Sequence, residues 1–73
     1  MKIVFTTDLS YYSNKYECCV DKSISLAEAC GMYAVIIAEN DEEYEHVERF
    51  EIVKRTYSYN EAVTAYKNLS GKI

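Results

Sequence analysis

The chain has 73 residues, of which 49% are hydrophobic, 27% charged and 14% aromatic, with two glycines and no proline. This length allows a single domain, 1–73, and the apolar content is too high for a disordered segment. Twelve acidic against eight basic residues give a net charge of -4, which disfavours direct binding to nucleic acid or to an anionic membrane surface.

The cellular location is predicted from what the chain lacks. Its longest apolar run, from Gly31 to Ala38, is far shorter than the ~20 residues of a membrane span. The N-terminal residues turn polar at Thr6 before the apolar core of a signal sequence develops. Cys18, Cys19 and Cys30 lack Cys-x-x-Cys spacing, so we expect three thiols in a reducing compartment. We therefore predict a cytoplasmic protein with no membrane contact.

Each half of the chain begins with two predicted strands. The β-branched runs at 2–6 and 34–38 are typical of strands buried on one or both faces. Alternating apolar residues then predict a second strand in each half, from Tyr16 to Ile24 and from Phe50 onward.

Each half is then predicted to end in a helix. Ser-x-x-Glu occurs at 25–28 and at 58–61, which is the spacing of a capping box. Gly31 and Gly71 follow, where a left-handed residue could end each helix. The second segment also has an apolar stripe, formed by Tyr59, Ala62, Val63, Tyr66 and Leu69.

These elements predict an α+β fold of the order ββαββα. In this two-layer sandwich, a four-stranded, mainly antiparallel sheet carries both helices on one face. A shift of 33 positions superposes Ser25 on Ser58 and Glu28 on Glu61, which indicates a pseudo-repeat of 1–33 and 34–73. A ferredoxin-like arrangement is the alternative if 41–48 forms a helical turn capped by Asp41, rather than an acidic hairpin loop.

Acidic residues concentrate in one stretch. Seven of the twelve lie in 39–51 against Arg49, which leaves a local charge of -6 and a charge of +2 on the remaining residues. Such a charge distribution can steer a basic partner or imitate the phosphates of nucleic acid. The alternative is a solvated run that protects a sheet edge.

Tyrosine supplies the second half of the predicted surface. Eight tyrosines exceed what two thin layers can bury, so some are exposed and offer contact area with little rotamer entropy. If the halves are equivalent, the first connection and the acidic stretch lie at the same end of the molecule. The predicted partner-binding residues are Tyr11, Tyr12, Glu39, Asp41, Glu42, Glu43, Tyr44, Glu45 and Glu48.

No catalytic, metal or cofactor site is predicted. His46 is the only histidine, which removes triads and His-cluster zinc sites within one chain. Cys18 and Cys19 are expected on opposite strand faces, and Cys30 as a small core residue. The two glycines lie 40 residues apart and form no phosphate loop. We therefore expect a non-enzymatic protein.

A compact, acidic, tyrosine-rich and proline-free domain resembles the small phage-encoded inhibitors, such as anti-CRISPR proteins and DNA mimics. This resemblance lies in size, charge and layout. It implies a stoichiometric inhibitor whose acidic residues would meet a basic host protein or protein–nucleic-acid complex. The alternative function is a homodimeric structural or assembly module that pairs through a sheet edge, because so small a core supplies little stability.

Overall fold

The computed structural model describes residues 1–41 and 47–71. In these residues, five antiparallel strands are followed by one helix. The elements are β1 (Lys2–Asp8), β2 (Tyr11–Ser13), β3 (Cys18–Ala29), β4 (Met32–Asn40), β5 (Glu48–Thr56) and α1 (Tyr59–Ser70). The sheet has the order β1-β3-β4-β5, and β2 also pairs with β3, next to the part that pairs with β1. The long strand β3 therefore lies at the centre.

The predicted ββαββα order is wrong, because residues 25–31 form no helix. Ser25 lies within β3 and contacts Thr6 on β1 through their hydroxyl groups, 3.0 Å apart. The segment alternates between the two sheet faces, with Ile24 and Leu26 on one of them, and it pairs with β1 on one side and β4 on the other. Two neighbouring strands satisfy its backbone more fully than a five-residue helix could. The aligned positions Ser25 and Ser58 thus have different conformations.

The glycine predicted to end the first helix belongs instead to a tight turn. Ala29 pairs with Met32, and the two residues between them both have positive φ, 52° at Cys30 and 80° at Gly31. This combination is that of a two-residue type I′ hairpin turn, whose twist matches that of the flanking strands. Cys30 is exposed at this turn, so its predicted place in the core is wrong.

The predicted C-terminal helix is confirmed with its caps. The Ser58 hydroxyl accepts a hydrogen bond from the Glu61 amide at 3.4 Å, and Gly71 ends the helix at φ 73°. The Glu61 carboxylate accepts from the Thr56 hydroxyl at 2.8 Å, while Thr56 Oγ1 accepts from the Ser58 amide at 3.0 Å. Thr56 therefore connects the two halves of the capping box and joins the end of β5 to α1.

One face of the sheet packs against α1 and forms the core. Its buried cluster contains Ile24, Leu26, Val35 and Ile37 from the central strands, with Ala62 and Tyr66 from the helix. At the edge, the Tyr66 hydroxyl and the Thr7 hydroxyl share a buried hydrogen bond, and the rings of Phe5 and Tyr66 lie 5.8 Å apart. One helix thus holds together β1, β3 and β4, which are distant in the sequence.

No element among the described residues packs on the other face of the sheet, which we call the open face. Its apolar members are Ile3, Ala27, Ala29, Met32, Ala34, Ile36, Ala38, Phe50 and Ile52. Ala27 and Ile36 are buried between their neighbours, but Phe50 is 71% exposed. Among the described residues, no helix is long and apolar enough to cross a membrane.

The turn between β3 and β4 makes a prediction. Cys30→Asn should raise the free energy of unfolding by about 0.5–1 kcal/mol, because asparagine adopts the left-handed conformation more readily. Gly31→Ala should lower it by about 1–2 kcal/mol, since a side chain is strained at this φ, although no atom lies within 4 Å of the added carbon. Urea unfolding followed by circular dichroism measures both. Equal stabilities would contradict a type I′ turn here.

Candidate partner-binding site

The tyrosines of the first connection lie on β2, which a local turn directs along β3. The Asp8 carboxylate accepts hydrogen bonds from the Ser10 hydroxyl and amide at 2.6 and 2.9 Å, and these bonds hold the pKa of Asp8 below its usual value. The Leu9 amide donates to the Lys22 carbonyl at 2.8 Å. The chain therefore turns back onto β3, and Tyr11 and Tyr12 of β2 lie opposite Val20 and Cys19.

Both tyrosines of β2 are exposed, as the sequence predicted. The exposed fraction is 43% for Tyr11 and 58% for Tyr12. The Tyr11 hydroxyl donates to Glu39 at 3.0 Å, which places the first connection beside the end of β4. This contact forms although the two halves of the chain are not equivalent, and Tyr44, the acidic-stretch residue predicted to lie beside Tyr11, is outside the described residues.

Arg49 lies between two of the acids and reduces their charge. It donates from Nη1 to Glu39 at 3.2 Å and from Nε to Glu51 at 3.0 Å. Only 10% of the Glu39 side chain is exposed, so this carboxylate needs its two donors. We call Tyr11, Glu39, Arg49 and Glu51 the tyrosine–arginine network. Within it, Glu39 acts as a connector between β2, β4 and β5.

The network changes two pKa values in the direction that its bonds require. The hydrogen bond to Glu39 is the largest cause that raises the pKa of Tyr11, because an ionised phenol would face a carboxylate. The pKa of Arg49 is raised chiefly by its hydrogen bond to Glu51. Both groups therefore keep their protons throughout the neutral range.

Asp41 does not contribute to the surface, since only 1% of it is exposed. The Asp41 carboxylate accepts a hydrogen bond from the Cys18 thiol at 3.1 Å. The Asp41 backbone amide donates to the Val47 carbonyl, also at 3.1 Å. The second bond closes the connection between β4 and β5, whose antiparallel pairing makes it a hairpin. Asp41 therefore anchors the acidic stretch from inside the protein.

The remaining predicted residues fall into two groups. Glu48 begins β5, is exposed and forms no ion pair with the described residues. Four others lie outside the described residues, namely Glu42, Glu43, Tyr44 and Glu45. Most of the predicted helical turn at 41–48 also lies outside them. The described part of the site is therefore one end of the sheet, where Tyr11 lies on the face of Glu39 and its strand neighbour Tyr12 on the opposite face, which is that of Glu48.

Among residues 1–41 and 47–71, no group of three or more His, Cys, Asp or Glu side chains could hold a metal ion. Cys18 is buried and Cys19 exposed, as expected for neighbours on a strand, and no disulfide joins any two of the three cysteines. Cys19 lies near the start of β3 and Cys30 in the turn that follows its end, and His46 lies outside the described residues.

Sequence reasoning missed two residues that organise this site. The charge pattern gives Arg49 only as a cation, although it lies directly opposite Glu39 in the pairing of β4 with β5. The strand pattern gives only a sheet face for Cys18, but its contact with Asp41 joins positions 23 residues apart. An antiparallel hairpin centred on the acidic stretch would have paired Glu39 with Arg49, whereas no sequence signal indicates the thiol–carboxylate contact.

Comparisons of this chain with protein-family models, with curated proteins and with solved structures find no match. The roles given to the residues of the site therefore rest on their contacts and exposure in this chain. Tyr11, Tyr12 and Glu48 are assigned to the site because they are exposed. Glu39 is assigned to it because it contacts Tyr11 of β2 and Arg49 of β5.

The hydrogen bond between Tyr11 and Glu39 can be tested by titration. Glu39→Gln should lower the pKa of Tyr11 toward its ordinary value of 10.0, because the carboxylate that disfavours the phenolate is removed. In the wild-type protein, this bond contributes its full stability at pH values below the pKa that Tyr11 has in the unfolded chain. The contribution is lost as the pH rises through the higher pKa that Tyr11 has in the folded protein. Carbon-13 NMR of the tyrosine ring measures the titration. An unchanged Tyr11 pKa in the variant would show that the bond does not form.

The role of Asp41 as an anchor gives a second prediction. Asp41→Ala should lower the free energy of unfolding by about 1–3 kcal/mol, because the buried Cys18 thiol loses its acceptor. Glu48→Ala removes the same charge from an exposed position and should change stability by less than about 0.5 kcal/mol. Denaturant titrations of both variants make the comparison. Equal small effects would show that Asp41 is exposed in solution.

Proposed function

We propose that this protein is a non-enzymatic inhibitor of the phage-encoded type, which binds a basic host protein or protein–nucleic-acid complex and blocks its handling of nucleic acid. The observation that supports this proposal most is the contact between Tyr11 and Glu39. It brings the exposed tyrosines of β2 to the end of the sheet where the acidic stretch begins. Aromatic area and negative charge are thereby combined at one end of the sheet, with Tyr11 beside Glu39 on one face and Tyr12 on the face of Glu48.

The tyrosines are suited to anchor such a complex. Tyr11 and Tyr12 lie on a strand paired with the central strand, so their backbone is ordered before a partner arrives. Tyrosine loses little rotamer entropy when it is covered, and it can donate a hydrogen bond from its hydroxyl. The two residues therefore supply contact area at low entropic cost, which favours slow dissociation.

The acidic residues would act mainly on association. Glu39 and Glu51 share the single charge of Arg49, and Asp41 is buried, so these three present less charge to a partner than three free carboxylates would. Glu48 is exposed at the start of β5, and the sequence adds Glu42, Glu43 and Glu45 immediately before it. A cluster of this sign would steer the protein toward a lysine- and arginine-rich channel, and salt would slow the encounter.

The experiment begins with tagged protein and lysate of a bacterial host, followed by binding measurements with the purified target. Glu42→Gln combined with Glu43→Gln should reduce the association rate at least about tenfold at low salt, because long-range attraction is weakened. Tyr12→Ala should instead raise the dissociation rate. The target's nucleic acid should compete with the wild-type protein. Surface plasmon resonance separates the two rates.

A matched control removes the same charge from the opposite end of the sheet. Glu28 lies opposite Tyr33 near the β3–β4 turn, and Glu61 lies in the first turn of α1. Glu28→Gln combined with Glu61→Gln changes the net charge equally and keeps the hydrogen-bonding atoms. If binding falls equally in both double variants, the acidic stretch acts only through the net charge of the protein and not through its position. Unchanged binding in the first double variant and in Tyr12→Ala would refute the proposed surface.

A further inference from the structure

The outer edge of β5 is unpaired in the described chain, although the strand is nine residues long. β5 ends the sheet order, and its five residues Glu48 to Ile52 are all exposed. No proline interrupts the edge. Long edge strands are templates for further strands, and proteins usually protect them with like charges, bulges or a covering segment. Glu48 to Ile52 has regular pairing with β4, and the only register shift of this pair follows at Val53.

We propose that two copies of this chain pair antiparallel through Glu48 to Ile52 of β5, with the two-fold axis at Phe50. This inference is independent of the proposed inhibitor function. The occupant of the edge is a second copy because the segment is complementary to itself in charge. Arg49 and Glu51 flank Phe50 at equal distances, so each arginine would lie opposite the glutamate of the other copy.

The other regular registers are unfavourable. In a two-fold antiparallel pair, opposite residues must lie on the same sheet face, so the axis must pass through a residue of the segment. An axis at Arg49 places two arginines opposite each other, and an axis at Glu51 places two glutamates opposite each other, which is destabilising. Axes at Glu48 or Ile52 leave fewer residues within the regular segment. Among these axes, the one at Phe50 alone places Arg49 opposite Glu51, twice across the interface.

Contacts within one chain already prepare this arrangement. The Arg49 side chain donates to Glu51 at 3.0 Å and to Glu39 at 3.2 Å, on the face of the sheet that carries α1. In the dimer, Glu51 of the second copy would lie directly opposite Arg49, with their β-carbons about 4.5–5.5 Å apart. Its carboxylate would then lie within reach of the same guanidinium. The two arginines and two glutamates would then alternate around the axis, and each guanidinium would use its several donors.

The open face supplies the apolar part of the interface. Phe50 is 71% exposed and Ile52 38% exposed on this face. With the axis at Phe50, the two phenylalanine rings become direct cross-strand neighbours, and aromatic pairs of this kind stabilise sheets. The pairing would also join two five-stranded sheets into one, with both helices on the same side.

The test measures mass by light scattering and sedimentation across concentration. The wild-type protein should form a dimer of twice the 8.5 kDa chain mass. Arg49→Glu and Glu51→Arg should each raise the dimer dissociation constant on the order of tenfold or more, because like charges become opposite. An equal mixture of the two variants should recover dimerisation as a heterodimer, since each supplies the charge that the other needs. Native mass spectrometry identifies the mixed species.

Controls separate this interface from general charge and from loss of folding. Lys54→Glu makes the same charge change as Arg49→Glu just beyond the regular segment, and Glu28→Arg matches Glu51→Arg at the far end of the sheet. Both should dimerise like the wild type, and circular dichroism should show all variants folded. A wild-type monomer at the highest soluble concentration would overturn the proposal. So would single variants that still dimerise, controls that dissociate equally, or a mixture that stays monomeric.

Discussion

The structure depends on the central strand β3, whose two edges are both occupied. It pairs with β4 along Asp21 to Ala29, with β1 along Ser23 to Glu28, and with β2 along Cys18 to Val20. This double pairing satisfies the backbone of β3 and fixes which of its side chains face α1. Ile24 and Leu26 are thereby directed into the core. A shift of β3 by one residue would move both to the open face and remove the apolar surface on which the helix packs.

The same strand determines where the exposed tyrosines lie. Because β3 extends beyond its pairing with β4, β2 can pair with the projecting part and bring Tyr11 to Glu39. Cys18 at the start of β3 reaches Asp41 beyond the end of β4. Two contacts therefore join the projecting hairpin to the acidic stretch, one exposed and one buried. The combination of tyrosine and acid at one end of the sheet is a consequence of strand length and register.

The parts that the sequence predicted correctly carry local signals. The C-terminal helix was identified from its cap at Ser58 and from Gly71, and both act through residues within a few positions. The run at 34–38 was identified as a strand from its β-branched residues. The first predicted helix had the same cap sequence but no room for a helical face before Gly31. Pairing with β1 and β4 outweighed the local preference, and those partners are distant in the sequence.

The exposure of the candidate residues was predicted correctly where it followed from composition and incorrectly where it depended on tertiary contacts. Eight tyrosines in a small chain made some exposure necessary, and Tyr11 and Tyr12 are exposed. A run of acids gave no sign that Asp41 is buried or that Glu39 shares Arg49. These outcomes depend on the thiol of Cys18 and on the alignment of β4 with β5. A pattern of charge along the chain does not specify which of its members face inward.

The position of α1 after all five strands has a consequence for folding during synthesis. Ala62 and Tyr66 complete a core whose other members belong to β3 and β4. While the chain emerges from the ribosome, hairpins can form in sequence, but the face with Ile24 and Leu26 stays in contact with water until α1 has left the exit tunnel. The nascent sheet therefore passes through a period in which its most apolar surface is available to chaperones, and docking of α1 ends that period.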